Sequence, residues 1–378
     1  MPANAIYRCN PVFIIAYAGS SIDACRKDSG GTLKKLIVVF LLVMGLTVPA
    51  SAYDYTLPEA PEQAADLLPT DRDTFSEGLW YVITSAFAVL HPQLMESGKV
   101  ALYVIGATML IGILKSREGT GKEAVSLVGV VAIACMLLQP AGVQIAAATQ
   151  TVAQLSEYGK LLLPLMTAAL AAQGGTATSA ALYTATVTFD AVLSAVIRGI
   201  LVPMVYIYLV LAVVHGAIGD EMMKRLRGLM KSIMTWTLKT ILYVFTAYIG
   251  ITGVVSGTAD QSAVKAAKLT ISGMVPVVGS ILSDASEAVL VGASVVKNTA
   301  GISGILVVIA IAIVPFLQIG LQYLGLKLTA AVCDLFSDKQ ITGLIEDFSG
   351  AMGFLLGMTG AACMIFLISL VCFLKGMG

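Results

Sequence analysis

Residues 302–321, ISGILVVIAIAIVPFLQIGL, contain no charged side chain. About 20 such residues, wound as an α-helix, cross the ~30 Å hydrocarbon core of a bilayer. The rest of the chain has the same character, with 57% hydrophobic and only 12% charged residues. Soluble domains carry about 25% charged residues. Mean hydropathy is +0.88. The composition predicts an all-α fold, a polytopic integral membrane helical bundle. Working outward from 302–321, further spans read at about 100–114, 124–138, 200–219, 236–255 and 351–374. That makes about six transmembrane helices, and 321–336 is a candidate for another crossing, so the expected range is six to eight.

The stretch N-terminal to this span is different. Residues 268–304 read KLTISGMVPVVGSILSDASEAVLVGASVVKNTAGISG. Pro276 and Gly279 interrupt its first apolar run, and both residue types break or bend helices. Asp284 followed three residues later by Glu287 is a helix start signal. Ala288, Val291 and Val295 then recur near helical spacing, and Lys297 and Asn298 close the segment before Gly301. A short apolar piece, a break and an amphipathic helix describe a hairpin. It is either re-entrant, which requires cover from protein or a water-filled cavity, or it lies on the membrane surface.

The N-terminus reads as a leader, residues 1–52. Lys34 and Lys35 precede the apolar run 36–49, which ends at Ala50-Ser51-Ala52, the layout of a secretory signal peptide cleaved after Ala52. The alternative is an uncleaved first helix. Residues 1–32 add nothing a signal needs and read as lying upstream of a true start near Leu33. Residues 53–99 then form an acidic, proline-bearing segment expected outside the cytoplasm. Within it, 79–90 is too short to span, and Trp80 and Tyr81 suit the membrane interface. Residues 100–378 form the transmembrane domain.

Charge orients the spans. Lys115, Arg117 and Lys122 place the first loop in the cytoplasm, as Lys224, Arg225, Arg227 and Lys231 do for the end of the third span. The loop before the last span mixes Lys327 and Lys339 with Asp334, Asp338, Glu346 and Asp347, so charge leaves it unoriented. The formal net charge is zero, which implies no nucleic-acid partner. Regions 140–199 and 258–301 are both apolar but broken, each containing a proline (Pro164, Pro276), and they raise the possibility of a parallel internal repeat.

Polar groups inside apolar runs are the candidate functional residues. Asp190 lies in TATVTFDAVLSAVIRG, and a carboxylate there needs a protein interior, a water-lined path or a surface position. Arg198 is eight residues on, about 12 Å along a helix, so the two need not pair. Snorkelling accounts for Lys239. Gly353-x-x-x-Gly357 permits close helix packing. Cys135, Cys333, Cys363 and Cys372 are expected to be small buried hydrophobes. Gly119-Thr120-Gly121-Lys122 lacks the first glycine of a phosphate-binding loop and has Glu123 where Ser or Thr is required. No catalytic or metal-binding signature appears, so neither an enzyme nor a cofactor is expected.

The V-P-V-V-G, S-D-A-x-E-x-V and V-K-N-x-x-G-I-x-G elements of 268–304 resemble the stage III sporulation protein AE family of endospore-forming bacteria. The resemblance runs in order from about Leu33 to the C-terminus. It implies a multi-pass protein of the mother-cell membrane around the engulfed forespore, part of the channel or secretion complex between the two compartments. Its implied partners are other membrane proteins of the same operon, ring-forming proteins, a separate cytoplasmic ATPase and the lipid bilayer. The competing expectation is a stand-alone permease for a small solute, with its site at the hairpins.

Overall fold

The computed structural model describes residues 58–68, 75–116, 122–274 and 279–376, with backbone alone through 252–274 and 279–300. The leader 1–52 and Pro276 lie outside the described residues. Those described belong to the unit Leu57–Gly378. They are helical: α1 (Glu62–Ala65), α2 (Phe75–Ser116), α3 (Lys122–Ala172), α4 (Thr176–Val196), a π-turn (Ile197–Leu201), α5 (Val202–Ile218), α6 (Glu221–Met274), α7 (Gly279–Cys333) and α8 (Lys339–Gly376). Among the described residues, five runs are long and apolar enough to cross a membrane: Phe75–Lys115, Glu123–Ala172, Thr176–Ile218, Gly301–Cys333 and Lys339–Gly376. The chain is a helical membrane bundle.

The runs are longer than the expected spans because the sequence breakers do not break them. Pro92 lies inside α2, Pro140 and Pro164 inside α3, and Pro315 inside α7. Each removes one backbone donor, a loss that packed transmembrane helices tolerate. So 79–90 and 100–114 are parts of one helix. The break expected around Pro164 falls instead at Gln173–Gly175, where Gly174 takes φ 93°. The Gly175 amide there returns to the Leu170 carbonyl at 3.1 Å. Residues 236–255 lie on α6, with side chains described only to Ile251. Gly301 and Gly304 do not divide α7 either, and 321–333 continues the same helix. At 197–201 the ladder loosens, and the Val202 amide bonds the Ile197 carbonyl five residues back. Pro203, which has no amide hydrogen, follows immediately.

Helix α8 is the centre. It packs against α3, α4, α5, α6 and α7. Its buried residues, among them Ile341, Leu344, Phe348, Met352, Leu355, Phe366 and Phe373, cover most of its circumference. A helix apolar all round is a buried one.

Side-chain pairs fix the register. Gly78 meets Leu306, Ser97 donates to Gln322 Oε1 at 3.0 Å, Thr108 touches Cys333, and Gly112 meets the Phe336 carbonyl. The numbers rise together, so α2 and α7 run parallel. Gly301 faces Leu374 and Gly320 faces Leu356, so α7 and α8 run antiparallel. At one end Lys115 forms an ion pair with Asp338 and donates to Ser126 Oγ at 2.8 Å, and Ser126 donates to Gln340 Oε1 at 3.2 Å. Gly216 of α5 lies against Gln340 and Leu344. The α2–α3 and α7–α8 connections and the end of α5 therefore share one end of the bundle. The loop that charge alone left unoriented sits beside Lys115 at the end of α2.

Cys333 is buried, Cys363 and Cys372 are half-buried, and Cys135 is exposed on α3, contrary to the expected burial. An exposed cysteine on a lipid-facing helix needs no partner, because the thiol is only weakly polar.

At Gly112 an added Cβ would stand 2.6 Å from the Phe336 carbonyl oxygen, a backbone atom that cannot swing aside. At Gly106 nothing lies within 4 Å. Gly112→Ala is expected to destabilise the bundle by about 1–3 kcal/mol through overpacking. Gly106→Ala should be neutral or slightly stabilising through helix propensity. Thermal unfolding of both variants in detergent checks this, and equal midpoints would contradict the close approach of α2 to the α7–α8 loop.

Candidate functional site

Asp347 occupies a buried stripe of α8, three residues after Leu344 and four before Ala351, both fully buried. A carboxylate there must be paired. Arg227 of α6 reaches it as an ion pair, the side chains being 11% and 17% exposed. From α5, Tyr208 Oη donates to Asp347 Oδ1 at 3.1 Å. The Tyr208 ring is fixed edge-on against Phe354, centroids 5.7 Å apart. Gly350 lets the hydroxyl in, since a Cβ there would lie 3.1 Å from Tyr208 Oη. Burial pulls the Arg227 guanidinium below its usual pKa, opposed by Tyr208, but arginine keeps its proton in proteins. Three helices that share few local contacts are thus joined through one carboxylate.

Beside this pair runs a cavity of about 520 Å³ between α5, α6, α7 and α8. Lys231 and Lys239 of α6, Lys327 of α7 and Glu346 of α8 line it. A second cavity, about 450 Å³, lies between α2, α3 and α7 and is lined by Gln93, Gln139, Gln144, Gln318 and Gln322. The side-chain oxygens of Gln93 and Gln144 are buried there without a hydrogen-bond partner. Among the described residues no three His, Cys, Asp or Glu side chains converge to hold a metal ion.

Asp190 lies elsewhere. It is 7% exposed in the interior and accepts a hydrogen bond from Ser156 Oγ of α3 at 2.6 Å. Arg198 is exposed on the π-turn, with Nε bonded to the Ser194 carbonyl at 3.4 Å. It forms no ion pair with Asp190. Gly301 is buried, and a Cβ there would come within 2.2 Å of Leu374 Cδ2, so it serves close packing of α7 on α8. Gly279, Asp284, Glu287, Lys297 and Asn298 sit on the helical backbone of α7, with their side chains outside the description, and Pro276 lies outside it altogether.

Sequence reasoning passed over Tyr208, Arg227 and Asp347. In sequence Arg227 reads as one of a basic cluster that orients the third span, and Asp347 as loop charge. The available signal was register: Asp347 falls in step with Leu344, Phe348 and Ala351 on one helix.

Removing one partner of a buried pair leaves an uncompensated charge, at about 3–5 kcal/mol. Asp347→Ala and Arg227→Met are each expected to lower the unfolding midpoint and the amount of protein in membranes sharply. The double change Arg227→Met with Asp347→Leu should recover much of the loss, because an apolar pair of similar volume replaces a buried ion pair at little cost. A double variant as unstable as either single would show that the pair is not what those sites contribute.

Comparison with known proteins bears on what this bundle serves. Stage III sporulation protein AE of Bacillus subtilis (strain 168) is 25% identical over 325 residues, 84% of this chain and 80% of that protein. No solved structure matches. The family described as stage III sporulation protein AE matches residues 72–376. It is a family of sporulation membrane proteins and not a known enzyme family. With that match covering nearly the whole helical bundle, the chain belongs to the stage III sporulation protein AE family and has a role in sporulation.

Proposed function

We propose that the chain is an integral membrane component of the mother cell–forespore channel or secretion complex, seated in the mother-cell membrane that surrounds the forespore. The observation that carries this reading is the family match across residues 72–376, joined to a bundle with five membrane-capable helices. In this reading the chain supplies the membrane scaffold. Other membrane proteins of its operon, ring-forming proteins and a separate cytoplasmic ATPase supply the rest. The basic end near Lys115, Lys224 and Arg225 faces the cytoplasm by the positive-inside rule.

Mild-detergent purification of the tagged protein from sporulating cells tests the reading. Products of the same operon are expected to copurify in reproducible ratio. A protein that purifies alone and takes up solute by itself in vesicles would be a permease instead.

The 268–304 block is proposed as an assembly element. Helix-end charges on a solvated surface are worth only about 0.3–1 kcal/mol each. Desolvated groups left unpaired at an interface cost roughly 1–3 kcal/mol. Glu287→Ala and Lys297→Ala are therefore expected to reduce spore counts while immunoblots of membrane fractions show normal protein. Wild-type counts from both would make the segment a solvated connector.

A further inference from the structure

The groove beside the Arg227–Asp347 pair is edged by three exposed lysines that no described residue neutralises. Lys231 and Lys239 lie on α6, eight residues or about 12 Å apart. Lys327 faces them from α7. None of the three makes an ion pair or hydrogen bond with a described residue, whereas Lys224 on the same helix pairs with Glu221. Asp347 is already held by Arg227 and Tyr208. Glu346 is the one remaining carboxylate on the lining.

The other side of the groove is apolar. Leu238 and Phe354 wall it, and Gly353 and Gly357 of α8 leave room along its floor. Cβ atoms added at these glycines would already touch Tyr323 at 3.4 Å and Leu238 at 3.6 Å, so any side chain larger than alanine would crowd the groove wall. Trp236, 68% exposed on α6 between the two lysines, is the residue type that marks a membrane interface.

We propose that this groove binds an anionic phospholipid, with its phosphate among Lys231, Lys239 and Lys327 and the start of an acyl chain along the Gly353–Gly357 floor. Charge complementarity selects the headgroup. The adjoining apolar channel selects a lipid over a free anion. The proposal does not depend on membership of the channel complex.

The test uses the full purified chain in a neutral detergent, with phosphatidylglycerol or phosphatidylcholine added in mixed micelles. Retained lipid is read by native mass spectrometry, and unfolding midpoints are measured in parallel. Phosphatidylglycerol is expected to be retained and to raise the midpoint more than phosphatidylcholine does. At about one lysine's surface attraction each, Lys231→Gln, Lys239→Gln and Lys327→Gln together should weaken phosphatidylglycerol binding roughly a hundredfold. Lys224→Gln with Arg225→Gln, outside the groove, should leave it unchanged. Gly357→Leu keeps all three lysines but fills the floor and should also abolish the preference, which decides the matter if the triple variant misfolds. Equal retention of the two lipids would overturn the proposal, as would a Gly357→Leu protein that binds like wild type. An equal midpoint rise with inorganic phosphate alone would show a free-anion site and overturn it as well.

Discussion

A carboxylate carried on the buried face of the central helix constrains everything packed around it. Asp347, only 17% exposed, is too shielded on α8 to stand as a lone charge, so a cation and a donor come from other helices. Arg227 and Tyr208 meet that requirement and set the positions of α6 and α5 relative to α8. The same demand recurs higher in the bundle. Ser349 Oγ donates to the Tyr323 carbonyl at 3.1 Å, and Thr186 Oγ1 donates to Ser369 Oγ at 2.6 Å. In lipid the apolar faces of helices gain little by leaving their surroundings, so packing and interhelical hydrogen bonds carry association. Glycines supply the packing half. Gly159 admits Phe366 and Gly301 admits Leu374, each at distances no side chain would allow.

These contacts also give the bundle two distinct ends. Lys115, Ser126, Asp338 and Gln340 gather at one of them, with the end of α5 beside Gln340. Gly219 closes α5 there at φ 75°, its amide bonded to the His215 carbonyl. A left-handed residue at this point ends the helix and turns the chain into α6. Three of the basic residues that orient the loops, Lys115, Lys224 and Arg227, are paired there with Asp338, Glu221 and Asp347.

Among the described residues the bundle's cross-helix hydrogen bonds are few and separate. Its polar groups are spread along helix interfaces, each pair joining two elements. Two cavities depart from that economy, one edged by unpaired lysines between α5, α6, α7 and α8, the other lined by glutamines between α2, α3 and α7. Sites of this kind are where a membrane protein meets molecules other than itself.

Composition and run length determined the class: in lipid only helices and closed barrels satisfy the backbone, and continuous apolar runs of about 20 residues have the length of a spanning helix, not a strand. The family was legible too, in the short motifs of 268–304. Asp190 stood out as costly, and a buried serine of α3 receives it. The span limits were not legible, because proline and glycine weaken a helix only locally while the turns on both flanks keep it helical, as at Pro140, Pro164 and Gly301. The Arg227–Asp347–Tyr208 cluster was beyond reach for a different reason. Its members are separated by 120 positions between Arg227 and Asp347, and each looks like ordinary surface charge or interface aromatic beside its own neighbours. Only the packing of α5 and α6 on α8 brings them into one largely buried site, and that packing is a property of three helices at once.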